Sequence, residues 1–158
     1  MTGPAATLPE IYVDADACPV KSEILRVATR HGTPVHMVSN SWMRLEDSPL
    51  IHRVVVSDGF DAADDWIAEN IGSGDVAITS DIPLADRCLK QGASVMGPTG
   101  KPFTGDNIGA ALATRDLMAH LRDTGEVRGG GPPFSKKDRS NFLQVLEEIL
   151  QRLRRGSR

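Results

Sequence analysis

The chain alternates between short apolar runs and longer stretches in which apolar residues recur at helical spacing. Five apolar runs predict β-strands, at residues 11–13, 34–39, 52–57, 75–79 and 93–96. The intervening stretches predict helices, three of which end near Gly32, Gly72 and Gly92. The order β-α-β-loop-β-α-β-α-β predicts an α/β fold with a mainly parallel sheet and helices on both faces.

Two segments carry more specific expectations. The run from His52 to Ser57 is rich in valine, which is typical of parallel strands covered on both faces, so we expect it to be buried. The segment from Gly97 to Asn107 is rich in turn-forming residues, and a helix is predicted after it at residues 108–121.

The C-terminal part predicts a helical arm. Val127 to Phe134 is a glycine- and proline-rich link, and Ser135 with Asp138 forms the S-x-x-D pattern that caps helix starts. One apolar stripe follows, made of Phe142, Leu146, Ile149, Leu150 and Leu153. We therefore expect an α/β domain at residues 10–125, and at 126–158 a link and a helix that packs on it or on a partner chain, as one structural unit.

Composition narrows the class of protein. With 158 residues, 40% hydrophobic and 25% charged, the chain is typical of one water-soluble globular domain. The net charge of −3 gives no overall basic field, so a nucleic acid would need a local basic patch or a bound metal. Apolar runs are too short to span a bilayer, and the N-terminus lacks a signal-peptide pattern, which predicts a cytoplasmic protein without membrane contact. The oligomeric state stays open.

Aspartates follow three of the predicted strands. Asp14 and Asp16 follow the first, Asp58 the third and Asp81 the fourth, with Asp61, Asp64 and Asp65 downstream. Ligands of open parallel sheets bind at the carboxyl ends of the strands, so these carboxylates are expected to converge. Two charges about 4 Å apart repel by roughly 4 kcal/mol at a dielectric of about 20, so such a cluster needs a cation. Oxygen ligands suit Mg²⁺ or Mn²⁺, which indicates metal-assisted phosphoester chemistry.

Taken singly, the aspartates have a simpler interpretation. Asp14 or Asp16 could cap the helix whose first turn is expected to contain Pro19, Asp61 could cap a helix that runs through Ile71, and Asp81 is a good N-cap before Ile-Pro. Asp58, Asp61, Asp64 and Asp65 could together complement the dipole of a solvated helix start. The joint pattern favours a site, because capping does not require the aspartates to follow separate strands of one sheet.

Polar and basic residues are candidates for substrate contacts: Asn40, Ser41, Ser80, Lys101, Arg115, Lys136 and Lys137. The first three follow strand ends, where they could orient water or phosphate, although ordinary turn residues have the same pattern. The last two begin a helix behind three glycines, a position that favours anions but also suits a solvated helix start. The spacing does not form a P-loop.

Several of these segments resemble a known family. Val13 to Lys21 (VDADACPVK), Asp61-x-x-Asp64, Thr79 to Ala93 and Thr104 to Ile108 are similar to the YaiI/YqxD family, as are Gly130 to Phe142 and the region of Arg115. The resemblance covers nearly the whole chain after residue 10. It implies a PIN-like fold, and PIN domains are typically Mg²⁺- or Mn²⁺-dependent ribonucleases.

The resemblance also implies roles for the acids. Asp14 and Asp81 match the first and the T-x-D acid of PIN domains, and Asp64, or else Asp61 or Asp65, matches the middle acid, which is usually glutamate. A ribonuclease acting on single-stranded RNA is therefore expected, with Asp14, Asp64 and Asp81 catalytic. Asp16, which lies outside the usual PIN pattern, is expected to join the metal ligands, and Asp86 to assist.

Two other functions fit the residues. D-x-D after a first strand also suits a phosphatase in which Asp14 is the nucleophile and Asp16 the acid, although Lys101 is not followed by the acidic pair that such enzymes use. The third function is a non-catalytic RNA-binding or regulatory module that retains an acidic pocket.

Overall fold

A computed structural model describes residues 8–16, 18–57, 59, 61–125 and 133–156. Six strands form one sheet: β1 (Ile11–Asp14), β2 (Val35–Ser39), β3 (Ile51–Val55), β4 (Val76–Ile78), β5 (Ser94–Met96) and β6 (Pro102–Phe103). The helices are α1 (Lys21–His31), α2 (Ala62–Asn70), α3 (Ile82–Lys90), α4 (Ile108–Asp123) and α5 (Lys136–Gly156). None of the described helices is long and apolar enough to cross a membrane.

The strand order is β3-β2-β1-β4-β5-β6, and every pair is parallel except β5–β6. The chain runs outward from β1 to β3 and then returns through α2 to β4, on the other side of β1. The sheet therefore reverses its direction of growth between β1 and β4, which is where open α/β sheets form a ligand crevice.

Helices cover both faces of this sheet, as the pattern predicts. One core lies under α1 and α5 and contains Val13, Ile24 and Phe142. The other lies under α2, α3 and α4 and contains Val38, Ile67 and Leu84. The predicted α/β fold with a mainly parallel sheet is confirmed, and it is consistent with the PIN-like fold that the resemblance implies.

Local sequence signals explain two of the helix ends. Gly32 has φ 68° and ends α1 in the left-handed conformation that glycine adopts without strain. Ser135 and Asp138 cap α5 reciprocally, because the backbone amide of each donates a hydrogen bond to the side chain of the other. Pro19, expected in the first turn of α1, precedes the helix, which begins at Lys21.

Two expectations about strands are wrong. β3 is an edge strand whose residues are exposed or half-buried, so its valines do not indicate burial on both faces. A valine run reports β-propensity, whereas burial depends on the strand's neighbours. The turn-rich segment after Gly97 also contains a strand, β6, whose two residues are too short to produce a periodic pattern.

The helical arm packs within the same chain. α5 lies beside α1. Near the start of α1, Glu23 pairs with Arg139 of α5. At the end of α1, Arg30 and His31 both pair with Glu147, which lies further along α5. The two helices therefore run in the same direction. Most of the predicted link, residues 126–132, lies outside the described residues.

Candidate functional site

An acidic cleft opens at the carboxyl ends of β1 and β4, where the sheet reverses. It has a volume of about 520 Å³. The polar residues that line it are Asp14, Asp16, Asn40, Asp61, Asp64, Asp81 and Arg115. Asp58, which the sequence also directs to this edge, lies outside the described residues.

Thr79 connects the two acids that lie nearest the sheet. This buried residue directly follows β4, and its hydroxyl donates to Oδ2 of Asp14 at 2.9 Å. The hydroxyl oxygen of Thr79 in turn accepts a hydrogen bond from the backbone amide of Asp81 at 2.9 Å. The T-x-D spacing therefore holds Asp14 and Asp81 at one point of the sheet, although they are 67 positions apart in the sequence.

Asp81 serves both as a helix cap and as a wall of the cleft. Its Oδ1 accepts the amide of Leu84 at 2.9 Å, which satisfies one of the free amides at the start of α3. Helix capping, the simpler interpretation, therefore uses only one carboxylate oxygen of Asp81. The other oxygen remains available to the cleft.

Asp16 is tied to the loop after β2. Its carboxylate accepts the amide of Asn40 at 3.1 and 3.2 Å, and the Asn40 side chain donates to the carbonyl of Ser57 at 2.7 Å. These bonds join the ends of β1, β2 and β3. Asp16 and Asn40 therefore form one wall of the cleft and brace three strand ends.

The start of α2 supplies the opposite wall. Asp61 occupies the N-cap position with φ 66°, but its side chain makes no capping bond, so the predicted side-chain cap is wrong. Asp64, one turn into the helix, lines the cleft. Its neighbour Asp65 is not among the lining residues and pairs with Arg87 at 2.8 Å. Adjacent acids on one helix thus have different surroundings.

The carboxylates in the cleft disfavour one another's charge. Partial burial raises the pKa of Asp64 from 3.8 to about 6, and the charges of Asp81, Asp14 and Asp61 add to this effect. Burial also raises the pKa of Asp14, with further contributions from Asp81 and Asp16, while the hydrogen bond from Thr79 opposes the rise. A positive charge in the cleft would relieve this repulsion.

The donors suit a hard divalent cation, since the acids offer only oxygen atoms. Within the described ranges, no three His, Cys, Asp or Glu side chains are grouped closely enough to hold a metal ion as they stand. The acids interact electrostatically across the cleft without forming a closed set of ligands. Side-chain rotation would be needed to bring three of them onto one ion.

The structure divides the predicted substrate contacts. Asn40 and Arg115 line the acidic cleft. Ser80 lines a small adjoining cavity together with Asp14, Cys18 and Thr79. Four residues line neither space and are exposed elsewhere: Ser41, Lys101, Lys136 and Lys137.

Thr79 is not among the site residues that the sequence predicts, although it contacts both Asp14 and Asp81. The T-x-D spacing was the available signal, because a threonine two residues before an N-capping aspartate can accept that aspartate's amide and donate to a further carboxylate. Cys18, which follows the D-x-D pair, has its pKa raised mainly by burial, so its thiol is not activated as a nucleophile.

Comparison with known proteins places the chain in a family. Residues 12–152 match the family described as "Uncharacterized BCR, YaiI/YqxD family". A UPF0178 protein of Parvibaculum lavamentivorans is 61% identical, over 92% of this chain and 96% of the relative. A UPF0178 protein of Sphingopyxis alaskensis is 63% identical, over 94% and 97%. No solved structure is similar enough to this chain to count as a match. The chain therefore belongs to the YaiI/YqxD family.

Proposed function

We propose that this protein is a divalent-metal-dependent phosphodiesterase that cleaves single-stranded RNA. One observation carries the proposal: acids from three separate elements line a single cleft at the point where the sheet reverses. Asp14 ends β1, Asp81 precedes α3 and Asp64 lies in α2, with the cation of Arg115 in the same lining. An acidic cleft would repel a phosphate unless a metal ion bridged the two.

Asp14, Asp64 and Asp81 would hold Mg²⁺ or Mn²⁺, with Asp16 assisting. The bound ion would lower the pKa of a water molecule and neutralise charge on the phosphate. Thr79 orients Asp14 through its hydroxyl, and the capping bond to Leu84 leaves Asp81 a second oxygen that is free to ligate.

Arg115 is suited to hold the phosphate. Its side chain is half exposed, and its nearest acid, Asp116, lies 3.7 Å away on an exposed part of α4. Such a pair contributes little stability and can open at small cost, so the guanidinium can turn toward an incoming phosphate.

The pKa of Asp64 supports a cation more than a proton as the physiological partner. At neutral pH a carboxyl with a pKa of about 6 is ionised in most molecules, although its neighbours oppose the charge. Binding of a cation removes this opposition and releases the protons that remain, so affinity should rise between about pH 5 and 7.

RNA cleavage by purified protein tests the proposal. Wild type should cut a panel of single-stranded RNAs with Mg²⁺ or Mn²⁺ present and should not cut with EDTA. Asp81→Asn retains the helix cap but loses the charge, and it should reduce the rate by at least about 100-fold, since a ligand would be lost. Asp86→Asn is the matched control, because Asp86 lies on the same helix outside the cleft and pairs with Lys90. Equal cleavage by all three proteins would assign the activity to a contaminant or another site.

A thermal-shift titration with Mn²⁺ separates catalysis from binding alone. Wild type should be stabilised by Mn²⁺, and the stabilisation should be lost in Asp14→Asn and Asp81→Asn. Stabilisation by RNA without any response to Mn²⁺ would instead support a non-catalytic RNA-binding module.

A further inference from the structure

A second cavity, the basic groove, lies between α1 and the loop that follows β2. Its volume is about 630 Å³. Lys21 and Arg26 of α1 face Arg44 of the loop, and Glu46 is the single acid in the lining. In a chain of net charge −3, this groove is a local concentration of positive charge.

The cations of the groove are available to a ligand. Arg26 and Arg44 are exposed, and neither forms a salt bridge with any of the described residues. By contrast, Arg30, Arg87 and Arg139 each form a salt bridge with an acid. Cations left unpaired along one groove can bind successive anions without first losing internal partners.

The loop at residues 40–46 also carries an aromatic ring, Trp42, two residues before Arg44. Met43 and Leu45 are partly buried against the core, so the alternate residues Trp42 and Arg44 project outward. Trp42 remains 65% exposed. The guanidinium of Arg53 lies over its ring at 4.8 Å, and this guanidinium is itself fixed by a bond from Nε to the carbonyl of Met43 at 2.8 Å. The ring is therefore held in place with its remaining surface open to solvent.

The basic groove and the acidic cleft are connected through the segments that follow β1 and β2, because residues of both segments line both spaces or lie next to them. Asn40, which lines the cleft, is two residues from Trp42, a separation of at most about 7 Å along the backbone. In the segment after β1, Nζ of Lys21 donates to the carbonyl of Cys18, which lines the small cavity next to Asp14. From Lys21 to Thr29 the helix side of the groove extends about 12 Å, or roughly three nucleotides at a stacked spacing of about 3.4 Å.

We infer that the basic groove and Trp42 bind single-stranded nucleic acid and lead its backbone into the acidic cleft. Arg26 and Arg44 contact phosphates, and a base stacks on Trp42. An open aromatic ring beside unpaired cations is the combination that single-strand binding uses, because every base has a stacking face and the phosphates supply the charge. The identification of the ligand with a substrate rests on the proposed function.

Binding measured in EDTA tests this surface without requiring cleavage. A fluorescently labelled single-stranded RNA should bind wild type in an anisotropy titration, and a duplex of the same sequence should bind more weakly because its bases are already stacked. Trp42→Ala should weaken binding about 5- to 150-fold. Leu117→Ala, which truncates a side chain that is 56% exposed on α4, is the matched control and should leave affinity unchanged.

The salt dependence tests the cations. The double variant Arg26→Gln, Arg44→Gln should reduce the slope of log affinity against log salt by about 1.4, since each lost phosphate contact on a single strand accounts for about 0.7. The double variant Lys136→Gln, Lys137→Gln removes the same charge from the start of α5 and should leave the slope unchanged. The opposite result would move the binding surface to α5 and overturn the inference.

Tryptophan fluorescence reports the stacking directly. In a Trp66→Phe background Trp42 is the only tryptophan, and single-stranded RNA should quench its emission. If polyglutamate competes as well as RNA does and Trp42→Ala has no effect, the groove binds an acidic protein segment and the inference fails. An unchanged KM for RNA cleavage in the groove variants would also overturn the inference, but it would leave the proposed function intact. Binding of RNA without any cleavage would overturn the proposed function alone.

Discussion

Replacing Asp64 by asparagine should stabilise the protein at neutral pH. The pKa of Asp64 is raised from 3.8 to about 6. Since each pKa unit corresponds to about 1.4 kcal/mol, the folded protein destabilises the charged carboxylate by about 3 kcal/mol. Solvent around a half-buried carboxyl screens this to about 1–2 kcal/mol. The carboxylate also interacts favourably with the dipole of α2, and losing this interaction cancels about 0.3–1 kcal/mol of the gain in stability. A net gain of about 1 kcal/mol raises Tm by about 2–4 °C in a chain of this size.

The pH dependence distinguishes charge relief from better packing. Because the folded-state pKa is raised, the native state binds more protons than the unfolded state between pH 3.8 and about 6. The charged form therefore costs stability above about pH 6 and nothing below about pH 4. Thermal unfolding in metal-free buffer should show Asp64→Asn above wild type at pH 7 and no more stable than wild type at pH 4.

Asp65→Asn is the control on the adjacent residue. Asp65 is exposed outside the cleft and pairs with Arg87, so its replacement should lower Tm slightly or leave it unchanged. The reasoning is refuted if Asp64→Asn gives no gain at pH 7, if the gain persists at pH 4, or if both variants change Tm alike. If Asp64 holds a metal as proposed, saturating Mn²⁺ should reverse the order of wild type and Asp64→Asn, because the variant would lack one of the proposed ligands.

Three further predictions concern the scaffold. Asp81→Ala should be about 1 kcal/mol less stable than Asp81→Asn in urea unfolding, since both lack the charge and only asparagine can cap α3; equal stability would contradict the capping role. Leu146→Ala on α5 should lower the free energy of unfolding by about 2–5 kcal/mol, because this side chain is fully buried against α1 and the sheet; a loss below about 1 kcal/mol would mean that α5 is not part of the core. The pKa of Glu147 is lowered to about 2, chiefly by hydrogen bonds from Arg30 and His31 of α1. The contribution of Glu147 to stability is therefore complete above about pH 4.5 and is lost as the pH falls toward 2. Glu147→Gln should flatten the pH dependence of Tm in that range.

The sequence by itself determined the elements and their class. Glycine at the end of α1, aspartate before Ile-Pro at the start of α3 and the S-x-x-D pattern before α5 act through bonds to residues only a few positions away. Such signals are readable because both partners lie in one short window. The placement of Asp14 and Asp81 at strand ends followed in the same way, and the parallel order of the sheet then directed both to one edge.

Other features of the site required the tertiary structure. Which strands are neighbours depends on the burial of whole faces, so no local pattern could place β1 beside β4 or β3 at the edge. The rotation of about 100° per residue along α2 turns Asp64 into the cleft and Asp65 toward Arg87, and helix packing brings Arg115 to the cleft while Lys136 and Lys137 lie outside it. The basic groove likewise depends on two segments that have no distinctive pattern alone. α1 and the loop at residues 40–46 meet because they follow β1 and β2, which are neighbouring parallel strands.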